Sequence, residues 1–214
     1  FISDDEANQV LLAGLDAKPL GEARTIDFKT GCREQFWMKN CIALGLSGGF
    51  LEPLESTSIF LIQQGIVRFI GLYPDGKLSS ILQNEYNRLM TREFTQVRDF
   101  IILHYHATQR DDSPFWNYCR TMPIPDSLQH KIELFRAGGR VFRDDQELFS
   151  KASWTAVMLG QHIEPEVYEP ILSGIPVSDI QRSLDSMNSA MKQAVSRLPT
   201  HGEFIHQYAN GVNF

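Results

Sequence analysis

The sequence predicts a mainly α-helical α+β protein, in which a helical body carries a small β hairpin or strand element. Three observations support this fold class. Apolar side chains recur at three- and four-residue spacing over 59–70, 82–101 and 180–198, as on one face of a helix. Only the stretch 23–39 alternates in the manner of strands. Hydrophobic residues make up 43% of the 214 residues, enough to bury a core of ordinary size.

The N-terminal quarter predicts one helix and one hairpin. Ser3 followed by Glu6 is a capping-box pattern ahead of an apolar run, so a helix is expected over 4–15. The stretch 23–29 predicts a strand, Thr30-Gly31 a turn, and 32–39 the returning strand.

The rest of the chain predicts successive helices separated by proline and glycine. The first opens at Ser56 and Thr57 and runs to a turn at 73–76, and the second is a long amphipathic helix over 82–101. Further helices are expected over 115–120, 126–135, from Asp144-Asp145, and over 178–198, with a last turn over 203–209.

Composition and charge argue against several classes of protein. A net charge of -6, a pI near 5.5 and the lack of a basic run argue against nucleic-acid binding. The three cysteines are widely spaced and include no CxxC pair, so neither a disulfide framework nor a zinc site is predicted, and no metal is expected. No apolar run reaches membrane-spanning length, and we expect a cytoplasmic location without membrane contact.

The functional prediction depends mainly on the segment 41–60, CIALGLSGGFLEPLESTSIF. An apolar run breaks into a loop with Gly45, Gly48 and Gly49, passes Pro53 and opens a helix. Glycines allow the backbone to approach a ligand closely, and the first N–H groups of a helix point outward unpaired. These features predict a cradle for an anion or a cofactor.

The residues of this segment resemble a known family. GLSGGFLEPLESTSI, preceded by WMKNCIAL, is similar to the signature loop of flavin-dependent halogenases of the tryptophan halogenase type. The opening SDDEA helix and HYHATQRDDSPFW at 104–116 resemble later parts of the same enzymes. The family's G-x-G-x-x-G unit, catalytic lysine and W-x-W-x-I-P motif do not occur in these residues. We therefore expect the C-terminal half of such an enzyme, completing an FAD-binding, flavin monooxygenase-like module whose N-terminal part is absent.

The resemblance implies two regions and a set of cofactors. Residues 1–72 are expected to end the flavin-binding module and to carry the halide and flavin loop, and 73–214 to form a helical substrate-side domain. The implied cofactors are FAD, reduced by a separate flavin reductase that binds transiently, and chloride or bromide. The implied reaction is electrophilic halogenation of an electron-rich aromatic ring, such as an indole or tryptophan. The sequence does not decide whether the enzyme forms a homodimer.

The resemblance also assigns roles to the loop residues. Glu55 corresponds to the carboxylate that stabilises the cationic ring intermediate and takes its proton. The backbone at Thr57 and Ser58 corresponds to the halide site, although many relatives have glycine where this chain has Ser58. The cofactor-binding positions are Gly45, Gly48, Gly49 and Pro53.

A second set of residues is predicted to form the substrate pocket. By the same resemblance these are Tyr105, Asp111, Phe115 and Trp116, which supply aromatic walls and a polar group that orients the ring. The alternative is that Phe115 and Trp116 only fill the core. His104 is not included, because a single histidine at the end of an amphipathic helix is usually a hydrogen-bonded core or surface residue.

Three alternatives compete with the halogenase interpretation. Without the motif, Glu55 would more often serve as an N-terminal helix carboxylate that satisfies backbone amides. A flavin-dependent hydroxylase would share the cradle but would need neither Glu55 nor a halide site. A non-catalytic helical interaction module would need no cofactor.

Overall fold

A computed structural model describes residues 1–74, 76–143, 146–168 and 170–208. The chain divides into two compact units, Phe1–Val167 and Tyr168–Phe214. The helices of the first unit are α1 Asp4–Ala13, α2 Ser58–Gly71, α3 Ser80–His106, α4 Pro114–Thr121, α5 Asp126–Gly138 and α6 Lys151–Gly160. Its strands are β1 Gly31–Cys32, β2 Trp37–Met38, β3 Cys41–Ile42 and β4 Gly49–Phe50. The predicted fold class, a mainly helical α+β protein, is confirmed.

The core of the first unit is built around α3. This helix packs against α2, α4, α5, α6 and β2, which explains why its apolar spacing persists over so many turns. The largest fully buried side chains are Trp154, Tyr86, Phe36, Phe100 and Phe135. The long amphipathic helix predicted over 82–101 is confirmed and extends from Ser80 to His106, which carries its last turn to the predicted site.

Two buried carboxylates are held by cations inside this core. Arg68 forms an ion pair with Glu93, and its guanidinium also donates to the carbonyl oxygen of Leu89 at 2.7 Å. Burial raises the pKa of Glu93, and the charge of Arg68 opposes that rise. Glu147 accepts hydrogen bonds from Lys131 at 2.7 Å and from the indole N–H of Trp154 at 2.8 Å. Each buried carboxylate thus has a cationic partner, although the second oxygen of Glu93, Oε1, is buried without a hydrogen-bond partner among the described residues.

The strands form two short antiparallel pairs that differ from the predicted hairpin. β1 pairs with β4, with Cys32 opposite Gly49, and β2 pairs with β3. The strand predicted over 23–29 is wrong, and Gly31 lies in β1 instead of in a turn. The stretch 23–30 is exposed throughout and forms no regular structure. Alternation alone does not make a strand, because a strand also needs a partner for its backbone groups and a face to bury.

Most helix signals are confirmed, with shifted boundaries. The N–H of Glu6 donates to Ser3 Oγ at 3.2 Å and caps α1, which ends at Ala13 instead of 15. Ser113 Oγ accepts from the N–H of Trp116 at 3.3 Å and caps α4. Gly139, with φ 67°, ends α5 in the left-handed conformation. The turn predicted at 73–76 includes Asp75, and the helix predicted from Asp144-Asp145 starts at two residues that, like Asp75, lie outside the described residues. The described residues 146–150 that follow are not helical, and the next helix is α6 from Lys151.

The second unit contains a 3₁₀ turn at Pro170–Gly174, α7 Val177–Val195 and α8 His201–Tyr208. The helix predicted from Ser178 is confirmed, although Pro176 occupies the N-cap position and the helix ends three residues before Leu198. The last predicted turn is α8, and residue 209 lies outside the described range. In the described part of the chain, no helix is long and apolar enough to cross a membrane.

Candidate active site

The loop between β4 and α2 has an unusual backbone at the predicted catalytic residue. A 3₁₀ turn, Leu54–Ser56, leads into α2, and within it Glu55 has φ 64°. Ser56 follows with φ 52°. The left-handed conformation costs an L-residue with a Cβ roughly 1 to 2 kcal/mol. Two successive residues in this conformation persist only when surrounding contacts hold them there.

Two carboxylates of this loop contact the C-terminal end of α3. Glu52 accepts from the N–H of Leu54 at 3.1 Å and from the hydroxyl of Tyr105 at 2.6 Å. Glu55 Oε1 lies 3.2 Å from Nε2 of His104. Burial raises the pKa of Tyr105 to about 12, and the hydrogen bond to Glu52 adds to that rise. The end of α3 therefore provides the contacts that the loop conformation requires.

His104, which was not among the predicted site residues, contacts Glu55. Its Nδ1 lies 2.8 Å from the carbonyl oxygen of Phe100, one helical turn earlier, and its ring packs edge-on against the Phe100 ring at 4.8 Å. A histidine hydrogen-bonded within its own helix matches the structural role expected from sequence. Its second contact is with Glu55, 49 positions earlier in the chain, and no sequence spacing indicates that contact.

The N-terminus of α2 has the features of an anion site. Thr57 at the N-cap is 2% exposed, and its side chain accepts no hydrogen bond from the helix amides. The first amides of a helix lack intrahelical acceptors and carry partial positive charge. Ser58 is half-buried beside them. The predicted positions therefore fit a small monovalent anion such as a halide, which would accept from backbone N–H groups.

The three glycines before this helix are explained by contacts within the chain itself. Gly45 has φ 60° and lies beside Ile62 of α2. A Cβ on Gly48 would lie 2.9 Å from the carbonyl oxygen of Ala43, and a Cβ on Gly49 would lie 2.7 Å from Cβ of Cys32. These distances are too short for any side chain, so close packing alone requires glycine at 48 and 49. Flavin contact at these glycines and at the exposed Pro53 stays a prediction.

A small apolar cavity lies behind the glycine loop. Its volume is about 120 Å³. It is bounded by the loop glycines, Ser58, and apolar side chains that include Phe36, Leu44, Leu61, Ile62, Met90 and Phe94. Because Ser58 also stands at the start of α2, this cavity extends from the glycine loop to the N-terminus of that helix.

Three of the four predicted substrate residues form one aromatic cluster. Trp116 stacks on Tyr105 with ring centroids 6.0 Å apart, and Phe115 meets the ring of Trp116 edge-on at 4.9 Å. All three side chains are half-buried, and the guanidinium of Arg110 lies 4.5 Å from the Trp116 ring centroid. Asp111 is exposed before α4, and its carbonyl oxygen accepts from the Asn117 side chain at 3.3 Å. The carboxylate of Asp111 does not join the cluster.

The structure brings the two predicted sets of residues together through α3. Tyr105 binds the loop through Glu52 and stacks on Trp116, so one side chain joins the Glu55 loop to the aromatic cluster. Across the described ranges, no three His, Cys, Asp or Glu side chains gather in a way that could hold a metal ion. The chemistry available here is a carboxylate, a histidine, an anion site and aromatic walls.

Comparison with known proteins identifies the family. A family model described as tryptophan halogenase matches residues 1–177. The chain belongs to the tryptophan halogenase family. This membership confirms the resemblance carried by the 41–60 and 104–116 segments, and the match covers all the predicted site residues.

Individual halogenases match over nearly the whole chain. The tryptophan 6-halogenase SttH of Streptomyces toxytricini is 30% identical, covering 96% of this chain and 40% of its own length. The tryptophan 7-halogenase KtzQ of Kutzneria is 26% identical, covering 99% of this chain and 43% of its own length. A solved flavin-dependent halogenase from Xanthomonas campestris superposes with a TM-score of 0.92 at 44% identity, over 97% of this chain and 42% of that one. The chain therefore spans about two fifths of the length of these relatives.

Proposed function

We propose that this chain forms the substrate side and the halide loop of a flavin-dependent halogenase. The observation that carries this proposal is the connection from the loop of Glu55 to the aromatic cluster. Glu52 and Tyr105 are hydrogen-bonded at 2.6 Å, and Tyr105 stacks on Trp116. The loop that carries Glu55 is therefore fixed to the aromatic cluster through Glu52, which suits a reaction in which an aromatic ring is held and then loses a proton to a carboxylate of that loop.

Different residues of the site would carry out different parts of an electrophilic aromatic substitution. Reduced FAD, oxygen and chloride or bromide supply hypohalous acid when all are bound. Thr57 and Ser58 would hold the halide through backbone N–H groups at the start of α2. The aromatic cluster would hold an electron-rich ring. The ring carbon would gain the halogen and lose its proton to Glu55, which would pass it to the hydroxide left from hypohalous acid, giving water.

The substrate class follows from the cluster. Stacked and edge-on rings around Trp116 suit a flat, electron-rich ring system such as an indole, and relatives named tryptophan halogenases support this class. Asp111, exposed at the turn before α4, would bind an amine or N–H group at the outer edge of that ring.

The two predicted regions would serve the flavin and the substrate separately. Residues 1–72 would complete the flavin side with Gly45, Gly48, Gly49 and Pro53 near the cofactor, and the helices from residue 73 onward would form the substrate side. The proposed partners are a small aromatic substrate, a flavin reductase that binds transiently in the cytoplasm, and a second copy of the enzyme.

The direct test is product analysis with the full-length enzyme. The enzyme is mixed with FAD, a flavin reductase and its reductant, and an indole, in chloride or in bromide. We expect products that carry the supplied halogen, identified by the isotope pattern in mass spectra, and none without halide. Hydroxylated products that form equally well without halide would refute the halogenase proposal and support a flavin-dependent hydroxylase.

A further inference from the structure

The contact between Glu55 and His104 requires a hydrogen in a defined place. Nδ1 of His104 lies 2.8 Å from the carbonyl oxygen of Phe100, and a carbonyl oxygen can only accept. Nδ1 therefore carries a hydrogen and donates it to Phe100. The other ring nitrogen, Nε2, lies 3.2 Å from Glu55 Oε1. A neutral ring in this tautomer and an ionised carboxylate would place two acceptors face to face, so this contact is a hydrogen bond only when the ring is protonated and Nε2 donates to Oε1.

The histidine ring is held more firmly than the carboxylate it contacts. Phe100, whose carbonyl oxygen is the acceptor, is 1% exposed in the last two turns of α3, and the two rings also pack edge-on. The side chain of His104 is 19% exposed and that of Glu55 is 39% exposed. Glu55 lies on the left-handed turn, whose conformation depends on outside contacts. The orientation of the carboxylate is therefore set from the helix side.

We propose that His104 is a positioning residue for Glu55. By donating from Nε2 to Oε1, the protonated ring directs the second oxygen of the ionised carboxylate away from α3. That second oxygen has no hydrogen-bond partner within the part of the chain that the structure describes. It is the atom left to take the proton from the substrate ring. This inference rests on the proposed function, since it explains how the proposed base is held.

Two amide substitutions separate positioning from a purely structural role. His104→Gln carries an amide N–H near the place of Nε2, so it can still donate to Glu55. His104→Asn reaches only the place of Nδ1, so it keeps the Phe100 link and loses Glu55. A misplaced catalytic group costs on the order of 100-fold in rate. In the full-length enzyme we expect kcat for halogenation to fall about 10- to 100-fold in the Asn variant and less than about 3-fold in the Gln variant.

Oxidation of reduced FAD and the KM for the indole should change little in either variant, because neither depends on the orientation of Glu55. Crystal structures of both variants provide a readout without turnover. The carboxylate of Glu55 should keep its orientation in the Gln variant and turn away in the Asn variant. Equal losses in both variants, or an unchanged carboxylate with full activity in the Asn variant, would overturn the inference. A wild-type enzyme without halogenated product would instead refute the proposed function, and the crystal structures would still test the positioning.

Discussion

Trp116 and Trp154 form a matched pair that tests whether the aromatic cluster is a pocket wall or part of the core. Trp154 is fully buried and donates to Glu147 at 2.8 Å, so Trp154→Ala should cost about 3 to 5 kcal/mol of unfolding free energy. Trp116 is half-buried and stacks on Tyr105 under the guanidinium of Arg110. Losing the stacking costs about 0.5 to 1.5 kcal/mol and losing an exposed cation–π contact about 0.5 to 1 kcal/mol. These contributions add to the apolar area that the ring buries, and because Trp116 is only half-buried, Trp116→Ala should cost less than Trp154→Ala, about 2 to 3 kcal/mol.

Urea denaturation of both variants measures this difference, provided that the slope of free energy against denaturant stays unchanged. Steady-state kinetics of the full-length enzyme supply the functional half of the test. If Trp116 stacks on the substrate, Trp116→Ala should raise the KM for an indole about 2- to 10-fold, the equivalent of one lost stacking contact. Equal stability losses in the two variants, with an unchanged KM in Trp116→Ala, would refute the pocket and assign this segment to the scaffold.

Three further predictions concern the loop and its surroundings. Gly49→Ala should lower the unfolding free energy by about 1 to 3 kcal/mol, because the added Cβ would meet Cys32. Gly71→Ala is the control, because a Cβ there would meet no atom within 4 Å, and it should not lower the unfolding free energy. Thermal denaturation of both variants measures the difference. Tyr105 should titrate near pH 12 in an absorbance titration corrected with Tyr105→Phe, and a value near 10 would contradict its burial beside Glu52. Because this folded-state pKa is raised, the stability from Tyr105 is complete below about pH 10 and is lost as the pH rises through about 12. Asp111→Asn should change the preferred indole or the ring position halogenated, with the melting temperature unchanged, and an identical product profile would remove Asp111 from the site.

Local signals in the sequence predicted the helices well. Ser3, Ser113 and Gly139 act at single positions, through a side-chain cap or a left-handed residue, and a sequence shows such residues directly. The strands depended on distant partners. Cys32 pairs with Gly49 because the glycine leaves room for it, and the alternation at 23–29 contains no information about that pairing.

In the site, too, the contacts between residues distant in the chain could not be predicted from the sequence. Motif resemblance located Glu55 and Trp116, but their connection through Glu52, Tyr105 and His104 depends on how the loop lies on α3. His104 in particular looked like an ordinary helix-end histidine, and its contact with Phe100 alone would have supported that interpretation. The left-handed backbone at Glu55 was also invisible to sequence, because glutamate is not a residue that favours this conformation.

Glu55→Gln in the full-length enzyme tests whether Glu55 takes the ring proton. The amide keeps the shape of the side chain and cannot accept a proton as a carboxylate does. Glu52→Gln is the matched control, because it changes a carboxylate of the same loop that contacts Tyr105 instead of His104. Halogenated product and oxidation of reduced FAD are measured in the same reactions. We predict that Glu55→Gln lowers halogenation about 100-fold or more while FAD oxidation continues at the wild-type rate, and that Glu52→Gln lowers halogenation less than about 10-fold. A parallel fall of halogenation and FAD oxidation in Glu55→Gln would contradict the account and make Glu55 a residue of folding or cofactor binding.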